Sequence, residues 1–275
     1  MYEVSQRTIN WLMEENNFPV KYLTQTKLLD VNDKDPDVDS TKYKINTYKP
    51  IEDILKNQKE NTYWFDKRKD KNYKKYLGSF WQIIFLYELH AQKNEQIKNG
   101  IEHIFLTGQS PSGGFSMTGT DRGAITCLTA NIVRALVYFG YWKDERTESA
   151  VEYLLSKLED KEGFICYPLT SLLKNCFMTI PKVLFALGSI PEKDRSPRIQ
   201  KGIEFCVKYL LENQIFKYIP ERNKEWIKHI TDNKIKGQQL FNERSKYIEK
   251  YPDMKNIAKP GWIKFGFPLN YNSDA

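Results

Sequence analysis

No stretch of the 275 residues approaches the roughly 18 apolar residues that a membrane-spanning helix needs, so no transmembrane segment is expected. The N-terminal run Met1-Tyr2-Glu3-Val4-Ser5-Gln6-Arg7 lacks the basic stretch followed by an apolar one that marks a secretory signal, and the expectation is a cytoplasmic protein. Cysteine is scarce. In a reducing compartment Cys127, Cys166, Cys176 and Cys206 are read as thiols or ligands before disulfides. What the chain does have is 40% hydrophobic and 14% aromatic residues, enough for a sizeable core and too many for global disorder. The net charge of +7 raises the question of an acidic partner. Only one basic cluster stands out, at residues 66–75 (DKRKDKNYKK), where six Lys and Arg are offset by two Asp. Elsewhere basic and acidic residues alternate, as on solvated helix faces. The cluster is read as a solvated loop, and nucleic acid is not the expected partner.

The most informative property is an internal repeat. Trp81-Gln82-Ile83-Ile84-Phe85-Leu86-Tyr87-Glu88-Leu89 is apolar almost all round, which predicts a buried helix. Ile97, Ile101, Ile104 and Phe105 then follow the spacing of an amphipathic helix, and Gln109-Ser110-Pro111-Ser112-Gly113-Gly114-Phe115 reads as a turn. The second copy runs Cys127 to Leu136 with Gly140 as C-terminal cap, then Val151, Leu154 and Leu155. The third runs Cys176 to Leu187 with Gly188 as cap, then Ile203, Val207, Leu210 and Leu211. Leu89, Leu136 and Leu187 are 47 and 51 apart, and Phe115 to Phe164 is 49. Two helices per period of about 50 residues mean stacked helical hairpins, with the apolar helix inside and the amphipathic one outside.

The first copy is weaker. Ile9, Trp11 and Leu12, with Tyr22, Leu23, Leu28 and Leu29, predict a helical pair; residues 30–49 read as a polar loop; Ile51, Ile54 and Leu55 predict an outer helix followed by an echo of the turn from Gln58 to Phe65. The aspartates between 33 and 39 resemble the start of a calcium loop, but Val38 and Lys44 occupy the places of the required Gly and Glu. Residues 221–259 break the period and read as an insertion with one or two surface helices. The C-terminal run from Trp262 to Ala275 looks like the entry to another inner helix, so the expectation is either an unclosed ring or a truncated one.

Hairpins of this length ending in Gln-x-x-x-x-Gly-Phe resemble the squalene-cyclase and prenyltransferase repeat. The turn from Gln109 to Phe115 carries the resemblance well, Gly163-Phe164 and Gln58 to Trp64 in part, over about residues 76–217. The resemblance implies an all-α fold of repeated hairpins arranged as an α/α toroid around an apolar cavity, here one domain over residues 1–275. It says less about activity. The Asp-x-Asp-Asp acid of the cyclases is missing, as is the Asp-Asp-x-x-Asp cluster of magnesium-dependent prenyl chemistry, and His90, His103 and His229 lie in no matching zinc context.

The remaining candidates are read from position. Cys127 and Cys176 are one repeat apart, at the entrances of neighbouring inner helices, with Cys166 in the loop that feeds the second. Three such thiols are either a zinc site with one open coordination position or small buried apolar groups. Cys206, on an outer helix, reads as packing. Asp121 is either an acid raised by desolvation or a structural cap, and Asp274 is the second catalytic candidate. Asn131 and Arg134 interrupt an apolar helix, so Arg134 marks either an ion pair or an anion-binding wall. Trp81, Phe85, Phe177 and Tyr271 complete the substrate-binding set, as cation-facing aromatics or as core. The leading expectation is an enzyme acting on an isoprenoid or other apolar small molecule in a central cavity. The alternative is a non-catalytic toroid that binds a lipid, peptide or protein.

Overall fold

The computed structural model describes residues 4–60, 62–65, 72–161, 179–212, 225, 228–230, 232–235 and 237–250. These form helices joined by turns, with isolated bridges and no β-strand among them. The chain divides into two compact units, Met1–Gly108 and Gln109–Ala275.

The first unit opens with α1 (Gln6–Leu12), capped by Ser5, and α2 (Phe18–Leu23), capped by Asn17; α2 widens into a π-turn at Thr24–Leu28. Residues 30–49 are not a loop throughout, as expected from their polarity. They contain α3 (Pro36–Asn46), because Asp35 caps the Asp37 N–H, Pro36 supplies a first helical φ, and Val38, Thr41 and Ile45 recur at helical spacing and are buried. The aspartates are explained by the same helix: Asp33 pairs with Lys42 at 2.8 Å and accepts the Tyr22 hydroxyl at 3.1 Å. α4 (Lys49–Lys56), α5 (Ser79–Glu88) and α6 (Glu95–Gly108) follow. Trp64 and Phe80 fill the centre of the unit, and each lies where a Cβ on Gly100 or Gly108 of α6 would collide with its ring.

The second unit holds α7 (Thr126–Tyr138), α8 (Glu145–Lys161), α9 (Thr179–Ser189), α10 (Pro197–Glu212) and α11 (Gly237–Lys250). α7 packs on α9 and on α8; α10 packs on α9 and on α8. The apolar helices thus form one layer and the amphipathic helices another, as the hydrophobic pattern predicts. α11 and the helical residues 228–230 fall within the stretch read as a helical insertion.

The repeat extends to individual hydrogen bonds. Gln58 donates to the Gln96 carbonyl at the start of α6 (2.8 Å), and Gln109 donates to the Arg146 carbonyl at the start of α8 (2.7 Å). The N–H of Trp64 reaches the Ser79 hydroxyl (3.1 Å), and that of Phe115 reaches the Thr129 hydroxyl (2.8 Å). Ser79, Thr129 and Thr179 are spaced 50 residues apart and all are fully buried. Phe164, the aromatic that the repeat assigns to Thr179, lies outside the described residues.

The ends of the inner helices α5 and α7 share one cap, and the end of α9 departs from it. After α7, Gly140 (φ +80°) donates to Val137 and Tyr141 donates to Leu136, a Schellman cap. After α5 the same two bonds form with His90 in the glycine position (φ +55°). Gly188 does not cap α9 as expected: it lies inside the helix. Arg195 takes over by donating to the carbonyls of Gly188 (2.8 Å) and Ile190 (2.9 Å), so no left-handed residue is needed.

Candidate functional site

The inner helices are not buried all round. On α7 the half-buried or exposed positions are Cys127, Asn131, Arg134, Val137 and Tyr138, which recur every three to four residues along a single helix face. On α9 the corresponding face carries Lys182 and Phe185. The two faces meet where the Arg134 guanidinium sits 4.8 Å from the centre of the Phe185 ring. Phe185 is 57% exposed, so the stack lies at the surface of the unit rather than in its core. Asn131 and Arg134 therefore do not interrupt an apolar core; they belong to a face that the core does not use.

Below this face, at the N-terminal end of α7, the 109–115 turn is held from both sides. Gly113 (φ +90°) lies where a Cβ would come 2.3 Å from the Ser149 carbonyl oxygen, and Gly114 leaves room for the Tyr153 ring. The Asp121 carboxylate accepts the Ser112 N–H at 2.9 Å. Asp121 is exposed, and bonds from the Ser112 hydroxyl, its backbone N–H and the Ser110 hydroxyl hold its pKa below the ordinary carboxylate value. These bonds outweigh the upward pull of desolvation, so at neutral pH it is an ionised latch on the turn and not a proton donor. Tyr153 is buried beside it. Burial raises the phenol pKa, the Thr126 hydroxyl opposes that shift, and the nearby Asp121 and Cys127 add to it. Lys157 lies over the Tyr153 ring at 4.8 Å.

In the first unit Trp81 and Phe85 belong to an aromatic cluster with Tyr73 and Tyr76. Ring centres are 5.4 Å apart for Tyr76 and Trp81, 6.3 Å for Tyr76 and Phe85, and 6.2 Å for Tyr73 and Trp81. The Trp81 indole donates to the Tyr73 carbonyl, and Gln82 donates to that of Tyr76. Tyr73 and Tyr76 escape a reading of the sequence because they lie in or beside the basic run at 66–75, whose charge suggests solvent. Within that run Asn72 is buried against Thr107 (2.8 Å).

Of the three cysteines read as a possible zinc site, Cys127 is half-buried in the first turn of α7, while Cys166 and Cys176 lie outside the described residues. Phe177, Tyr271 and Asp274 also lie outside them. Among the described residues no three His, Cys, Asp or Glu side chains converge as metal ligands. Cys206 is fully buried on α10, and burial pushes its thiol up to about 12. No family model matches the chain, and no curated protein or solved structure is significantly similar to it.

Proposed function

We propose that this chain is a toroid-type helical-repeat protein that binds an apolar small molecule, of isoprenoid or similar character, on the faces that its inner helices leave uncovered. The observation that carries the reading is the α7–α9 face: Cys127, Asn131, Arg134 and Tyr138 from one helix join Phe185 and Lys182 from the next. A solvated helix face ordinarily carries dispersed, mixed charges. This one combines two aromatic rings with cations only, and it holds Arg134 in place on a ring. The aromatic cluster around Trp81 and Phe85 supplies similar chemistry on α5 in the first unit. The reading concerns binding. The acid role weighed for Asp121 is not carried into it, because that carboxyl is ionised and occupied by Ser112.

The test is titration of the full chain with the neutral fluorophore N-phenyl-1-naphthylamine, followed by displacement with farnesol. Saturable binding that Phe185→Ala weakens about 5-fold, roughly what one lost ring contact is worth, supports the reading. Absence of saturable binding, or binding indifferent to both Phe185→Ala and Trp81→Ala, rejects it.

A further inference from the structure

We infer that α10 is a docking face for a second copy of this chain, paired antiparallel about Val207. The argument starts from the repeat. On α8, Val151 and Leu155 are 2% and 1% exposed, and Leu155 lies against the place where Gly202 of α10 packs. Ile101 and Phe105, 50 residues earlier on α6, are likewise buried. The same register on α10, 52 residues after α8, is Ile203 and Val207, followed by Leu211. There the side chains are open: Val207 is 40% and Leu211 72% exposed, and they line a shallow depression of about 490 Å³. The amphipathic helices therefore carry one apolar seam for receiving a neighbouring helix. On α8 it is filled by α10, and on α10 it is left open.

A second α10 fits that seam by its own symmetry. In an antiparallel pair centred on Val207, Ile203 faces Leu211 of the other copy, and Val207 meets its equivalent on the two-fold axis. Glu204 and Lys208 lie on the same edge of the seam, one turn apart. The two-fold axis keeps that edge against itself, so each Lys208 comes beside Glu204 of the other copy, twice per dimer. Among the described residues of the single chain these groups make surface pairs, Glu204 with Gln200 (3.1 Å) and Lys208 with Glu212 (3.8 Å), which are exchanged at little cost. A parallel pairing, whose two-fold axis runs along the helices, would set this edge against the opposite edge of the partner and bring no Lys208 beside Glu204. One helix seam is small for a protein interface, so the association belongs in the micromolar range.

Sedimentation equilibrium of the full chain across micromolar concentrations tests this. A monomer–dimer equilibrium is expected, with the dissociation constant raised about tenfold or more by Leu211→Glu. Glu204→Lys and Lys208→Glu each weaken the dimer, and the double exchange Glu204→Lys with Lys208→Glu restores it; circular dichroism and thermal melts of each variant establish that the fold is kept. A wild-type chain that stays monomeric overturns the inference, whether the seam is empty or covered by something else. A dimer indifferent to Leu211→Glu, or one that the double exchange fails to restore, overturns it as well.

Discussion

Replacing Thr129 by valine preserves the shape of the side chain and removes one oxygen. That oxygen accepts the Phe115 N–H at 2.8 Å and donates to the Ile125 carbonyl at 2.9 Å, and both Thr129 and Phe115 are fully buried. Valine therefore leaves a backbone donor with no acceptor and no water, a cost of about 1–3 kcal/mol. The Ile125 carbonyl keeps its bond from the Thr129 N–H, so it adds little. Serine at the same place keeps the oxygen and loses one methyl group, about 1 kcal/mol. The expected order of stability is Thr, then Ser, then Val; volume alone would put Val above Ser. Urea unfolding followed by far-ultraviolet circular dichroism measures it, with an unchanged slope showing that the unfolded state is the same. Valine at least as stable as serine would refute the reasoning. The same pair of substitutions at Thr179 carries the repeat further. Its hydroxyl is fully buried and, among the described residues, has no hydrogen-bond partner. If the third copy of the turn is built like the first two, Thr179→Val costs as much as Thr129→Val. If it is not, valine removes an unsatisfied hydroxyl and stabilises the chain.

Two further outcomes follow from the backbone and from titration. Gly113 and Gly140 both have positive φ, but a Cβ on Gly113 meets the Ser149 carbonyl at 2.3 Å whereas one on Gly140 meets open space. Gly140→Ala should cost about 1 kcal/mol, the penalty for a left-handed residue, and Gly113→Ala well over 2 kcal/mol; equal losses in thermal melts would contradict the clash. His90 is half-buried, its ring tilted 60° to that of Tyr22 with centres 5.4 Å apart, and its pKa is lowered below 6.5 first by burial and then by the charge of Lys27. The unfolded chain therefore takes up this proton at a higher pH than the folded one. Stability is constant above the unfolded pKa and falls as pH drops from there towards the lower folded pKa. Melts between neutral and mildly acidic pH should show that fall in the native chain and a smaller one in His90→Gln; parallel curves would remove the assignment.

The fold was legible where apolar residues set the period and illegible where polar residues do structural work. The hairpins of α5 to α10 follow from Ile, Leu, Val and Phe at helical spacing. α3 was hidden because its aspartates and lysines resemble a loop, although Asp35-Pro36 is a helix start and Val38, Thr41 and Ile45 mark its buried side. Gly188 misled for the opposite reason: glycine near a helix end suggests a left-handed cap, but the cap is the guanidinium of Arg195, which no local pattern announces. Tyr153 was missed because a tyrosine on an amphipathic helix carries no motif; its importance comes from Gly114, which alone leaves its ring enough room. The hydroxyl spacing of 50 at Ser79, Thr129 and Thr179 was present in the sequence and is more regular than the leucine spacings of 47 and 51. A hydrogen bond to one backbone N–H tolerates no shift along the helix, while an apolar contact can be made by any of several neighbouring side chains.

The candidate site was legible for a related reason. An arginine in the middle of an apolar helix poses a question that sequence alone leaves open, since an ion pair in the core and a cation on an exposed face give the same letter. Burial decides it. A core arginine must be matched by a buried anion at considerable desolvation cost. Arg134 is half-buried and lies over a ring that is itself 57% exposed, so it is not a core arginine, and its flat face is already desolvated on one side. Its neighbours one turn away on the same face are Asn131, Val137 and Tyr138, and Lys182 lies one turn from Phe185 on α9. A face of this composition pays part of the cost of ordering a ligand in advance, because the guanidinium is immobilised before anything arrives. That is why the substitution of Phe185 is the informative one: it removes the support and leaves the charge, and a site that depends on a placed cation loses affinity while a merely charged surface does not.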